Sequence, residues 1–214
     1  DGRLNGTVDF YRRRTNDMLW DYQVPTPPYL YSSITSNVGV MDNTGFEALV
    51  QGTPVATADF NWMTGVTYST NKNKLVSLSN DQFKTTNDFF YTGHTGEPIQ
   101  QTTHIVKIGD QIGNFYGWKS VDITEAGIWI IENKNGENIP ITQSTQDDRK
   151  VLGNGLPKHY LGWNNSFRYK NIDLEINMRG AFGFQILNFQ RMYYENPRIF
   201  QYNMLESAFD KVYG

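Results

Sequence analysis

Residues 158–184 (KHYLGWNNSFRYKNIDLEINMRGAFGF) constrain the fold more than any other part of the chain. Two alternating stretches flank a very short turn. In the second, Leu174, Ile176, Met178, Gly180 and Phe182 fall on one side, and Asp173, Glu175, Asn177, Arg179 and Ala181 on the other. A period of two is the signature of a β-strand, whose successive side chains point to opposite faces. One face here is apolar and the other carries full charges. Hydrocarbon on one side and water on the other suits that pattern, as in the wall of an outer-membrane barrel. A strand of a soluble sandwich alternates in the same way, so the rest of the chain has to decide between them.

The alternation recurs. Residues 3–13 set Leu4, Gly6, Val8 and Phe10 against Asn5, Thr7, Asp9 and Tyr11. Residues 43–53 set Phe46, Ala48 and Val50 against Glu47, Leu49 and Gln51. Residues 60–71 set Phe60, Trp62, Val66 and Tyr68 against Asn61, Thr67, Ser69 and Asn71. Strands are therefore predicted over 3–13, 43–53, 60–71, 158–169 and 173–184. Trp62, Tyr68, Trp163 and Phe167 fall on the apolar side and read as girdle rather than site, since a lipid interface calls for aromatic rings. Asn165 interrupts that side.

The connections alternate in length. The stretch 14–37 is long and holds Pro25, Pro27 and Pro28, which a central ladder excludes. The connection 54–59 is short, 72–157 very long, 170–173 very short, and 185 onward long. Outer-membrane barrels have short periplasmic turns and long outside loops. Extracellular loops are accordingly predicted over 14–37, 72–157 and 185–214. The stretch 72–157 is one outside excursion, long enough to need a function or a small structure of its own. Leu205, Phe209 and Val212 are spaced for a short amphipathic helix.

Composition agrees with export to a membrane surface. Charged residues make up 19% and aromatic ones 14%, a low and a high share for a soluble domain. The net charge of -3 excludes a nucleic-acid partner, since phosphate binding needs a concentrated basic face, and Arg12-Arg13-Arg14 is the one basic cluster. The absence of cysteine rules out disulfides and thiolate metal sites. No run reaches the roughly 18–20 apolar residues of a membrane-spanning helix. The chain starts at Asp1 with no signal peptide and stops at Tyr213-Gly214, so it reads as an internal fragment or a processed piece.

With the strands in place, several segments resemble a known family. IGDQIGNFYGWKS (108–120) and the stretch from Asp147 to Asn188, preceded by NVGVMDNTGFEALVQGTPV (37–55) and FNWMTGVTYSTNKNKLVSL (60–78), are similar in order to the SusC/RagA-type TonB-dependent outer-membrane transporters of Bacteroidetes. That resemblance implies an all-β fold: part of a large antiparallel transmembrane β-barrel of the roughly 22-stranded, plugged kind, with long extracellular loops. It implies import of oligosaccharides or peptides, a SusD-like surface lipoprotein as lid, and outer-membrane lipid around the barrel. The rest of the same barrel, its plug and the segment that meets TonB would lie outside this chain. Many members carry an acidic DxNxDG-like stretch before the DDR element. Here the matching region is ENKNGENIP (132–140), with Asn133 and Asn135 in acid positions and Lys134 between them. Fewer carboxylates weaken affinity for a hard cation, and no metal or cofactor is expected.

Candidate residues follow from this frame. The loop aromatics Trp20, Tyr22, Tyr29, Tyr31, Phe89, Phe90, Tyr91, Trp118 and Trp129 suit contact with a ligand or the lid, being flat apolar faces with polar tips; alternatively they pack the loops together. Glu47, Gln51, Glu175, Asn177 and Arg179 are the expected lumen polar groups. His94, His104 and His159 have no ligand spacing. Asp147-Asp148 reads as turn-forming acids beside Arg149 rather than a general acid/base pair, and no nucleophile motif is present. Two rivals remain at this level: a soluble secreted carbohydrate-binding β-sandwich, and a surface glycan hydrolase using Asp147 and Asp148.

Overall fold

The computed structural model describes residues 3–23, 26–28, 30–81, 84, 88–196 and 201–209. Among the described residues twelve strands are formed: β1 (Leu4–Gln23), β2 (Ser33–Ala56), β3 (Phe60–Ser77), β4 (Phe89–His94), β5 (Thr102–Lys107), β6 (Asn114–Gly117), β7 (Lys119–Ile123), β8 (Trp129–Glu132), β9 (Asn138–Pro140), β10 (Lys150–Asn154), β11 (His159–Tyr169) and β12 (Ile172–Phe182). They fall into two compact units. One is built from Asp1–Asp88, Lys107–Ile112 and Leu156–Phe184, the other from Phe89–Val106, Gly113–Gly155 and Gln185–Gly214.

The first unit is a five-stranded antiparallel sheet in the order β1-β2-β3-β11-β12. Its register carries the alternation of each strand across the whole sheet. Gly6, Val50, Val66, Trp163 and Met178 share one rung of the apolar face. Adjacent, on the opposite face, runs the rung Asn5, Gln51, Gly65, Asn164 and Asn177. A one-residue slip would swap these two sets, so the pattern itself specifies the pairing. Gly45 lies opposite Tyr11, and a Cβ there would stand 2.3 Å from the ring. Glycine at this rung is what lets the phenol lie flat across β2.

The short connections are tight. Thr57 donates its backbone N–H to the Phe60 carbonyl at 2.8 Å, and its Oγ1 accepts from the Phe60 N–H at 3.0 Å. β11 turns into β12 through Lys170 and Asn171 alone, with Lys170 at φ 52 and an Arg168–Asp173 ion pair at 2.9 Å beside the turn. The stretch 14–37, predicted as a loop, is mostly strand: β1 and β2 stay paired out to Gln23↔Ser33. The pairing shifts register between Thr15 and Leu19, with Asp17 at φ 56. Such a bulge breaks the period of two, and Pro27 and Pro28 lie beyond the end of β1, where they remove no ladder bond.

The second unit holds two small sheets, β10-β6-β5-β4 and β7-β8-β9. The excursion 72–157 thus begins as a continuation of β3 and then carries its own structure. A one-and-a-half-turn helix α1 (Phe189–Tyr194) is capped by Asn188, whose side chain accepts from the Arg191 N–H at 3.0 Å. In place of the helix predicted around Leu205, Phe209 and Val212 there is a 3-10 turn over Glu206–Phe209; Val212 lies outside the described residues.

The apolar core is small. Val38, Leu75 and Leu78 are buried in the first unit, Ile105 and Ile131 in the second. The apolar face of the five-stranded sheet is by contrast open: Leu4 is 73% exposed, Phe10 79% and Ile172 69%. A sandwich would bury such a face against a second sheet. A contiguous apolar surface of this extent marks an interface with another apolar phase.

Candidate functional site

The polar face of the sheet collects the expected lumen groups. Gln51 and Asn177 stand in the amide rung with Asn5 and Asn164. Glu175 is one rung toward the short turns, level with Ser166 and Met63, and Arg179 one rung the other way, level with Thr67 and Leu49. Glu47 pairs directly with Asp9. A shallow cavity of about 380 Å³ opens over Asn5, Gln51, Asn164, Ser166, Glu175 and Asn177. Amides donate and accept at once, so this rung presents both kinds of hydrogen-bonding group without net charge. Alternation alone puts Asn5 on the polar face, and the register sets Asn5 and Asn164 level with Gln51 and Asn177.

The apolar face is bounded by aromatic groups at two levels. At one end Trp62 stacks on Phe167, with centroids 5.8 Å apart, next to Phe60 and Tyr169 on the following rung. At the other end Phe10, Phe46, Thr70, His159 and Phe182 share a rung. Phe10 meets Phe46 at 4.7 Å, and Tyr68 hydrogen-bonds His159 Nδ1 at 2.7 Å. Asn165 does lie on this face but is only 5% exposed. The Trp62 indole N–H donates to its Oδ1 at 3.2 Å, and the Trp163 indole donates to Thr64 Oγ1 at 3.0 Å. The two indoles satisfy and roof the polar pair.

In the second unit Tyr91 and Trp118 converge, with Tyr116, on Arg149. Its guanidinium lies 5.3 Å from the Tyr91 ring, 4.7 Å from Tyr116 and 5.3 Å from Trp118. It is 8% exposed, and Nη2 donates to the carbonyls of Thr102 at 2.6 Å and Tyr116 at 3.0 Å. Phe89 packs on Tyr91 at 5.3 Å. These rings pack around an internal cation, while Phe89 and Tyr91 also keep exposed faces. Trp129 starts β8 and is exposed, and Phe90 is half-buried in β4. Trp20 and the exposed Tyr31 belong to the first unit. The Tyr22 side chain and all of Tyr29 lie outside the described residues.

Asp147 and Asp148 diverge. Asp148 is buried and accepts from the Thr145 N–H at 2.7 Å, Thr145 Oγ1 at 2.9 Å and the Lys134 N–H at 3.0 Å. The backbone donors hold its carboxyl below the usual range. Asp147 pairs with Lys134 at 3.5 Å. A cap and a surface ion pair leave no acid/base couple. In the 132–140 loop Asn133 Oδ1 accepts from the N–H groups of Asn135 and Glu137, both at 2.9 Å. Glu132 sits between Lys119 and Lys150, each at 2.6 Å, and their donation lowers its pKa to about 2. Two ammonium groups thus neutralise the Glu132 carboxylate. His94 accepts from the Gly96 N–H at 3.0 Å, while burial lowers the His104 pKa.

No family model matches the chain. Among known proteins it is 30% identical to TonB-dependent receptor P3 of Formosa agariphila over 88% of this chain and 20% of that protein. It is 30% identical to TonB-dependent receptor P26 of the same organism over 92% of this chain, and 26% identical to TonB-dependent receptor SusC of Bacteroides thetaiotaomicron over 85%. Among solved structures it superimposes on the RagAB peptide importer in its closed-closed state with a TM-score of 0.74, at 24% identity over 91% of this chain and 21% of that one. The chain thus spans about a fifth of the length of the relatives it matches. The sheet with an apolar and a polar face, the ordered segments and these relatives agree: the chain belongs to the SusC/RagA-type TonB-dependent receptors, and its five-stranded sheet is a stretch of their β-barrel wall.

Proposed function

We propose that this sheet forms part of an outer-membrane barrel that imports oligosaccharides or peptides, driven through TonB and gated by a SusD-like lipoprotein lid. The carrying observation is the sheet itself. From the Phe60–Tyr169 rung to the Thr70–His159 rung is ten residues, about 34 Å along a strand. At the tilt of barrel strands that spans about 25 Å of membrane, the height of an outer-membrane apolar band. The apolar face then meets lipid, and the amide rung faces the lumen. Uncharged amides suit the hydroxyls of a glycan and the backbone of a peptide equally.

Sidedness follows from connection length. The turns at 57–59 and 170–171 are periplasmic, and the second unit is outside, where Trp129 and Phe90 are candidates for ligand or lid contact. Transport proceeds by lid and loop closure over ligand and then displacement of the plug. The protein is a transporter and not an enzyme.

Two measurements test this. In intact cells a membrane-impermeant maleimide should label the Asn135→Cys transporter and leave Asn171→Cys unlabelled; the reverse overturns the sidedness. Uptake of oligosaccharide and peptide pools should require the transporter and fall to background in a TonB-deficient strain. Uptake indifferent to TonB would overturn the mechanism.

A further inference from the structure

The face that carries the apolar rungs does not end at the aromatic rung of Phe10 and Phe46. Continuing along the same face, Arg12, Thr44 and Lys72 form the next rung, and Arg14, Asp42 and Lys74 the one after. Four cations therefore stand around one carboxylate on two adjacent rungs. Asp42 is already engaged. Its carboxylate accepts from Arg12 Nη2 at 2.9 Å, Arg14 Nε at 2.6 Å and Arg14 Nη2 at 2.8 Å. Lys72 and Lys74 are exposed, and their ammonium groups have no anionic or hydrogen-bonding partner among the described residues. Their neighbours Asn73 and Leu75 are buried on the other side of β3, so the two lysines are committed to this face. Neighbouring strands are about 4.8 Å apart and alternate residues about 6.8 Å apart along a strand. The four basic residues thus stem from a patch about 10 Å by 7 Å, broad enough for one or two phosphate groups.

We propose that this patch binds the phosphate of an anionic membrane lipid in the leaflet on the long-loop side, with the acyl chains lying on the apolar rungs beneath. The inference rests on the reading that this face meets lipid. Charge complementarity calls for an anion, because three uncompensated positive charges repel one another. Continuity selects a lipid. The first basic rung directly adjoins the aromatic rung that marks the interface, the depth at which headgroup phosphates sit. A soluble anion has no use for that adjacency, and cargo passes on the opposite face.

The test is native mass spectrometry of the full-length detergent-solubilised transporter with diphosphoryl lipid A, lipid A stripped of both phosphates, and inorganic phosphate. The wild type should retain the phosphorylated lipid. Lys72→Ala/Lys74→Ala should bind it about thirtyfold more weakly, the effect of two basic residues near an anionic surface, while Lys72→Arg/Lys74→Arg should bind as the wild type does. Removing the lipid's phosphates should weaken binding as the alanine pair does, and inorganic phosphate should not compete. Undiminished binding by the alanine pair, equal binding of the stripped lipid, or displacement by inorganic phosphate would each overturn the proposal. So would an acidic polypeptide retained in a Lys72- and Lys74-dependent manner with no difference in lipid. Maleimide labelling of Lys72→Cys in intact cells separates the two readings. If it is labelled from outside and the alanine pair binds lipid normally, only the lipid site fails. If it is shielded while Asn171→Cys is labelled, the sidedness fails and takes the lipid site with it.

Discussion

Arg149 shows how one side chain organises a segment rich in polar residues. Its guanidinium is closed in by three rings and donates to two backbone carbonyls from different strands. Lysine cannot reproduce that geometry: both bonds come from the terminal Nη2, one bond farther out than a lysine ammonium sits, and an ammonium has no flat face to lay against the rings. Arg149→Lys should therefore leave at least one carbonyl unpaired and destabilise the second unit by about 1.5–3 kcal/mol. The check is limited proteolysis of the folded transporter, which should cut between Phe89 and Gly155 faster while the barrel still migrates as folded on an unboiled gel. Glu132 gives a prediction in pH. Lys119 and Lys150 hold its carboxyl at about 2, below the roughly 4.3 of an unfolded glutamate. A depressed folded-state value makes a stabilisation that is present above about pH 4.3 and lost as pH falls toward 2. Cleavage of residues 119–140 by pepsin should accelerate across that window in the wild type, and Glu132→Gln should cleave at a nearly constant rate.

At the scale of the strand, the face decides what a substitution does. Val66 is on the central apolar rung between Val50 and Trp163. An arginine there faces the middle of the apolar band and should cost about 2–4 kcal/mol. Val66→Arg should reduce the heat-modifiable form in the membrane fraction, whereas Ser69→Arg, on the polar face beside Glu47, should assemble normally. The same contrast explains what could be read from the chain. The cores of β1, β2, β3, β11 and β12 were legible because each separates two unlike environments, which writes a period of two into the residues. The outer halves of β1 and β2 were not. Beyond Arg12 and Asp42 both faces carry polar groups, and the bulge near Asp17 slips the phase. The amide rung was half legible: Gln51 and Asn177 were named, yet only register puts Asn5 and Asn164 level with them. The ring of aromatics around Arg149 needed the tertiary fold, because Tyr91, Tyr116 and Arg149 are distant in the chain.

For the molecule as a whole, the open edges matter. Among the described residues β1 pairs with β2 alone and β12 with β11 alone, so each has a row of backbone donors and acceptors awaiting a neighbour. Hydrocarbon does not tolerate such rows, and in water they recruit other chains. The 214 residues expressed alone should therefore give sedimenting aggregate and no heat-modifiable band, while the same residues within the complete barrel should give one. Heating a membrane fraction of each before electrophoresis distinguishes the two.

The seam between β3 and β11 has a kinetic side. More than eighty residues separate Ser77 from His159, yet the two strands must zip together residue by residue. Closing a floppy loop of that length carries a chain-entropy penalty of about 4 kcal/mol. The excursion is not floppy. Leu75 donates to the Asp110 carbonyl at 2.9 Å and accepts from the Gly109 N–H at 2.8 Å, and Gly155 donates to the Gly113 carbonyl at 3.0 Å. These stitches gather the outgoing and returning ends of the excursion, so the loop that β11 must close is far shorter in effect than in residues. By this count the excursion should fold first and the β3–β11 seam close after it, because early local stitches shorten the loop that the seam must close.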